Sequence, residues 1–265
     1  MTPDVVWAVV AGLFGLAVGS FLNVVIYRVP VGGSVVSPPS KCPSCGASIR
    51  HRHNVPVFGW LLLRGRCYDC AAPISARYPL VEAATGVLFA AVTWRLLAVD
   101  MPWALAAYLY LAAAGIALAI IDIDVKKLPN KIVLPSYAVV SVLLTIAAFG
   151  EQDWWPLARA AIGAAALFAF YFTIVVAYPA GMGFGDVKLA GMLGALMGYL
   201  SWSALIVATF GAFLLGAIIG VALIVTHHGG RKTAIPFGPF MIAAALITVF
   251  AGDSLADGYL RLVAR

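Results

Sequence analysis

Charge is what this sequence lacks. Only 11% of its 265 residues are Asp, Glu, Lys or Arg, against 63% hydrophobic, and the mean hydropathy is +1.00. So few polar groups cannot cover a soluble domain of this length, which leaves a polytopic membrane protein. Internal repeats and low-complexity segments are also missing. The glycine-rich "GMGFG" at 181–185 has neither the Walker spacing nor its Lys-Ser/Thr ending, and no GxGxxG or βαβ pattern surrounds it, so a nucleotide-binding loop is excluded. The first apolar run follows "MTPD" without a basic n-region or a clear small-residue cleavage site, so it is expected to stay in the protein as a span.

What is there is apolar and periodic in length. Eight segments approach the roughly 20 residues that cross a bilayer: about 5–27, 79–98, 103–122, 132–149, 157–178, 187–202, 204–226 and 236–252. The expected fold is an all-α polytopic membrane protein with about eight transmembrane helices and one small inserted domain. Thirteen of the 17 Lys and Arg fall in one set of loops: Arg28, Lys41, Arg50, Arg52, Arg64, Arg66, Arg77, Lys126, Lys127, Lys131, Lys188, Arg231 and Lys232. Arg95, Arg159, Arg261 and Arg265 fall in the other. The positive-inside rule makes the first side cytoplasmic and puts both termini outside. The net charge of +6 is therefore an orientation signal. Anionic lipid headgroups are its natural partner, and nucleic acid is not. Trp7, Trp94, Trp103, Trp154, Trp155 and Trp202 stand near expected outer boundaries and read as interfacial anchors.

One stretch, 28–78, is polar, basic and rich in Pro and Gly. It separates a first span at 1–27 from a bundle at 79–265. It holds all four cysteines as Cys42-x2-Cys45 and Cys67-x2-Cys70. Two such knuckles about 20 residues apart are the spacing of a structural zinc site, because a tight turn converges each thiolate pair on one tetrahedral ion. Pro43 and Gly46 suit those turns. The cytosolic side is reducing, which disfavours disulfides. His51 and His53 lie between the knuckles and read as solvated loop residues, with a ligand role the lesser alternative. A domain this small has little core, so a metal would supply much of its folding free energy.

Of the eleven acids, Asp122, Asp124, Asp186 and Glu82 stand at ends of apolar runs, where a charge must be paired or face water. Asp186 follows Gly181, Gly183 and Gly185. The plain reading makes it a helix N-terminal acid interacting with the helix dipole. The alternating glycines add a second reading: a backbone free to take positive φ, which another chain can approach closely. Gly181, Gly183, Gly185 and Lys188 are thus candidate substrate contacts. Asp122 and Asp124 are two residues, about 200° of helix, apart, so one faces the bundle and the other water. Spacing does not choose between them. Two carboxylates sharing one proton can activate water and polarise a scissile carbonyl without a metal. Pairing of Asp122 or Asp124 with Lys126 and Lys127 is the alternative.

"GSFLNVVIYRVP", the two Cys-x-x-Cys pairs, "NVPVFGWLLLRGRC", "RYPLVE", "IDIDVKKLPN", "GMGFGDVKLAGMLGALMG" and "IPFGPF" occur in this order from about Gly19 to Phe240. This ordered set resembles the type IV prepilin peptidases, membrane aspartic proteases of the GxGD type. The resemblance implies an endopeptidase of the bacterial inner membrane, acting at its cytoplasmic face. It would remove the basic leader of prepilins and pseudopilins after a Gly, just before their hydrophobic helix. It assigns the catalytic pair to Asp122 and Asp186 and leaves Asp124 and Asn130 as supporting residues. Many members also methylate the new N-terminus with S-adenosylmethionine, an activity associated with the cytoplasmic domain. The chain departs from the pattern at two points: Asn130 where many members have Asp, and His53 where members have Glu. Glu82 is read as structural, with a role in holding the methyl donor the alternative. Pro236 and Pro239 are expected to keep "IPFGPF" out of regular helix, either at the rim of a substrate groove or, equally, as a loop packed against the bundle. Two rival classes use the same features: a transporter carrying cations on Asp122 and Asp186, and a scaffold whose cysteine domain recruits partners.

Overall fold

The computed structural model describes residues 3–179, 181–226 and 235–263. Arg231, Lys232 and Arg265 of the orientation signal lie outside them. Among the described residues eight long helices stand where eight were expected: α1 (Pro3–Arg28), α3 (Arg77–Ala98), α4 (Leu105–Val125), α5 (Asn130–Glu151), α6 (Trp155–Ala177), α7 (Phe184–Leu200), α8 (Trp202–Val225) and α9 (Gly238–Val263). The short α2 (Phe58–Leu62) belongs to the insertion. Among the described residues six helices are long and apolar enough to cross a membrane, α4 counted with the 3-10 turn that precedes it. The 17-residue α7 is shorter, and the apolar part of α9 ends at Gly252. Among the described residues, β-pairing is limited to two isolated bridges, Lys41–Ser48 and Arg66–Pro73. The six anchor tryptophans are all exposed.

The helix ends follow local chemistry. Lys126 closes α4 in a left-handed conformation, and Pro129 precedes α5. Pro156 sits in the first turn of α6, where its missing N–H costs nothing. The division between α7 and α8 falls at Ser201, whose hydroxyl accepts from the Ala204 N–H at 2.9 Å as an N-cap.

The chain forms two compact units: Met1–Val99 with Ala112–Ala117, and Asp100–Leu111 with Leu118–Arg265. In the first, α1 and α3 approach through glycine. A Cβ at Gly15 would lie 2.9 Å from the Gly86 Cα, and one at Gly19 would lie 2.7 Å from the Glu82 Cα. Small residues let membrane helices pack backbone to backbone, where dispersion rather than water exclusion holds them together.

The second unit is built around α7, which is buried along nearly all its length. Gly163 of α6 and Gly194 of α7 each face the other's carbonyl, too close for any side chain. Hydroxyls reach the α7 backbone from two neighbours: Tyr108 donates to Leu196 O and Tyr137 to Lys188 O, both at 2.6 Å. Arg159 donates to the last carbonyls of α7, at Gly198, Tyr199 and Leu200, which have no partner within the helix. α7 is thereby fixed along its axis, and so is the residue at its other end, Asp186.

Candidate active site

Asp122 lies in the last turn of α4, and Asp186 is the third residue of α7. Their exposures are 5% and 8%. Asp124 is exposed, so the inward member of the pair is Asp122. The carboxylates of Asp122 and Asp186 lie within electrostatic reach of one another. Each is oriented by a backbone N–H. Gly183 donates to Asp186 Oδ2 at 3.1 Å while the Asp186 N–H returns to Gly183 O at 3.1 Å. Gly238, at the start of α9, donates to Asp122 Oδ2 at 3.2 Å. The plain reading of Asp186 as an acid at a helix start therefore holds, and it is compatible with chemistry, because only one oxygen is occupied by the cap.

The glycine hinge differs from expectation. None of Gly181, Gly183 and Gly185 takes a positive φ, and Gly183 is extended at φ −82°, ψ 151°. Crowding favours glycine at two of the three positions, while a Cβ at Gly183 would meet only ordinary contact, 3.5 Å from Asp186 Oδ2. A Cβ at Gly185 would lie 3.1 Å from that of Leu128, and one at Gly181 would enter the Tyr178 ring. Lys188 donates to Asn130 Oδ1 at 2.9 Å and sits 5.0 Å from the centre of the Phe184 ring. Asn130 thus accepts the lysine as a neutral amide.

Sequence reasoning missed three positions. A Cβ at Gly238 would stand 2.7 Å from Asp122 Oδ2, so only glycine brings that N–H to the carboxylate. Leu128 would touch added carbons at both Gly185 and Gly238, so it packs between the starts of α7 and α9. Tyr171 of α6, buried and within electrostatic reach of Asp186, heads an aromatic cluster with Phe213 at 5.6 Å and Phe237 at 6.2 Å. The available signal was "IPFGPF", read as a non-helical rim. Instead α9 begins inside it, and Pro239 occupies the first helical turn, where proline is tolerated.

The cysteines converge as their spacing predicts. The four Sγ atoms of Cys42, Cys45, Cys67 and Cys70 lie within 4.8 Å of one another, and Cys42 and Cys70 are 3.8 Å apart. Zinc–sulfur bonds of about 2.3 Å in a tetrahedron place sulfurs about 3.8 Å apart, so the set fits zinc. The knuckles are near-copies. Cys42 N–H bonds Ala47 O and Cys67 N–H bonds Ala72 O, and the residue after each second cysteine, Gly46 or Ala71, is left-handed. The backbone N–H groups of Cys45 and Ser44 hold the Cys42 thiol down at about 6, which favours the thiolate that a metal needs. His53 packs against Tyr68 in a tilted arrangement, 4.6 Å between ring centres, beside an Arg50–Asp69 ion pair of 2.9 Å. The His51 side chain lies outside the described residues.

Residues 13–96 match the bacterial peptidase A24 N-terminal domain, and 109–221 match the type IV leader peptidase family. A prepilin leader peptidase/N-methyltransferase of Stutzerimonas stutzeri is 34% identical, over 94% of this chain and 92% of its own. Those of Aeromonas hydrophila and Neisseria gonorrhoeae are both 36% identical, over 94% and 92% of this chain and 92% and 91% of theirs. No solved structure gives a significant match. With both family models in chain order and relatives alike over nearly their whole lengths, this multi-pass membrane enzyme belongs to the type IV leader peptidase family.

Proposed function

We propose that the protein removes the basic leader of type IV prepilins or pseudopilins through an aspartate pair, Asp122 and Asp186, at the cytoplasmic face of the bacterial inner membrane. The observation that carries this reading is the burial of two carboxylates from α4 and α7 within reach of one another. One ionised carboxylate draws a proton from a water while the other, protonated, donates to the scissile carbonyl. Both stand at helix ends, the depth at which the leader of a membrane-anchored substrate meets its hydrophobic helix. That placement favours a peptidase over a transporter, whose charges would lie along a path across the membrane. The extended Gly183 suits main-chain contact with an extended leader. Gly181, Gly185 and Lys188 border that path, while Asp124 and Asn130 support the surrounding loop. Both termini lie outside by the charge distribution, and anionic headgroups meet the basic loops.

Residues 28–78 form a small domain held by zinc on Cys42, Cys45, Cys67 and Cys70. Together with α1 and the start of α3 it serves the second activity in the relatives' names, methylation of the new amino terminus by S-adenosylmethionine. The test is cleavage of a prepilin by purified enzyme beside Asp122→Asn and Asp186→Asn, with S-adenosylmethionine present and the mass of the new N-terminus recorded. Wild type is expected to cut after the leader glycine and add one methyl group. Both variants are expected to be inactive in cleavage. Cleavage by either variant at the wild-type rate refutes the pair, and a product without the methyl group refutes the second activity alone.

A further inference from the structure

Three sequence blocks that the aspartate pair does not use converge on one point of the first unit. Gly19 of "GSFLNVV" lets α1 approach the Glu82 Cα, where its own Cβ would stand at 2.7 Å. Asn23 of the same block donates from Nδ2 to Tyr78 O of "RYPLVE" at 3.1 Å. Glu82 closes that second block, is 8% exposed, and accepts the Val57 N–H of "NVPVFGW" on Oε2 at 2.7 Å.

Val57 is the unusual partner. Its backbone stands at φ 62°, ψ −53°. The Phe58 N–H bonds Pro56 O at 2.7 Å, closing a γ-turn of the strained hand. Valine is among the residues least suited to positive φ, because its branched side chain crowds the carbonyl. The next turn is tied as tightly: Gly59 N–H bonds Val55 O at 2.7 Å, and a Cβ at Gly59 would strike the His53 carbonyl. Strained backbone persists where its surroundings over-determine it, and such places cluster at functional sites.

We propose that Glu82 is a positioning residue for methyl transfer: its carboxylate holds the 54–59 turn in a strained shape that orients the methyl donor against the new amino terminus. This rests on the methylation reading above. In the step itself the uncharged amine attacks the sulfonium methyl. A C–N bond forms as the C–S bond breaks, the thioether leaves, and the nitrogen gives its extra proton to water. Glu82 takes no part in these bonds and acts through Val57.

The experiment uses full-length enzyme in detergent with a prepilin and S-adenosylmethionine, comparing wild type, Glu82→Gln, Glu82→Ala, Val57→Gly and the Glu82→Ala/Val57→Gly pair. Glutamine keeps an acceptor for the Val57 N–H and is expected to methylate within about threefold of wild type. Alanine is expected to slow methylation about tenfold or more while leader removal stays within about twofold. Glycine adopts positive φ without strain, so adding Val57→Gly to Glu82→Ala is expected to recover most of the lost rate. Deuterium exchange of a 55–62 peptide should rise in Glu82→Ala alone. Unimpaired methylation by Glu82→Ala overturns the proposal. So does loss in both Glu82→Gln and Glu82→Ala without rescue by glycine, since the carboxylate would then touch a reactant or support the fold. Wild-type enzyme that cleaves but never methylates refutes the underlying reading, a result distinct from failure of the Glu82 variants alone.

Discussion

Replacing Gly238 with alanine adds one carbon at the point where α9 meets Asp122. The added Cβ would stand 2.7 Å from Oδ2, and ordinary contact begins near 3.4 Å. The carboxylate or the start of α9 must therefore retreat by about 0.7 Å, and misplacing a catalytic group by about 1 Å costs on the order of a hundredfold in rate. Leu128 Cδ1, 3.5 Å from the same added carbon, blocks a retreat toward the α4–α5 loop. The expected loss in kcat is between about tenfold and a hundredfold, or about 1.4–2.7 kcal/mol of barrier. KM for the prepilin should change little if the leader lies along Gly183, as proposed above. Gly220→Ala is the control: its added carbon meets nothing nearer than 4.0 Å, so its rate should match wild type. The assay is initial-rate cleavage of a prepilin by each purified variant, with thermal unfolding in detergent run alongside. A Gly238→Ala enzyme with wild-type kcat, or one whose whole loss lies in KM, refutes the claim that Gly238 sets the geometry of Asp122.

Other perturbations probe separate parts of the molecule. Arg159→Met leaves three α7 carbonyls without their charged donor. It should lower stability by about 2–3 kcal/mol, read as a drop in the thermal midpoint, with activity preserved well below it. Cys45→Ser should reduce bound zinc, measured by metal analysis of purified protein, and expose 28–78 to protease. In the unaltered protein, zinc retention should weaken as pH falls. Metal binding requires deprotonated thiols, so protons compete with the metal for the four sulfurs and its hold weakens as pH falls. Asn130→Asp gives Lys188 a charged partner and places an acid at the first turn of α5, so stability should rise by up to about 1 kcal/mol with cleavage intact.

The helices were legible because a membrane leaves the sequence little freedom: each span must be long and apolar, and all eight begin within a few residues of where hydropathy put them, although α9 runs on to Val263, beyond the expected end at 252. The cysteine cluster was legible for a related reason. Four thiols at two fixed spacings have few arrangements other than convergence. What stayed hidden depends on rotation and on contacts distant in the chain. Asp122 and Asp124 look alike in a string; the buried one is chosen by which face of α4 meets the bundle. The glycines of the hinge announced unusual backbone, yet none takes a positive φ, and what crowds two of them, Gly185 and Gly181, comes from Leu128 and Tyr178. Gly238 lies 116 residues from the aspartate it orients. No local pattern marks that pairing, because its cause is the packing of α9 on α8 and α7, which brings the first residue of α9 to the end of α4. The reverse case is Val57, a strand-favouring residue whose sequence forbids nothing and whose conformation is set by Glu82, 25 positions on. Sequence thus carried the chemistry of the groups, while the packing of distant segments decided which of them are buried together and which are held under strain.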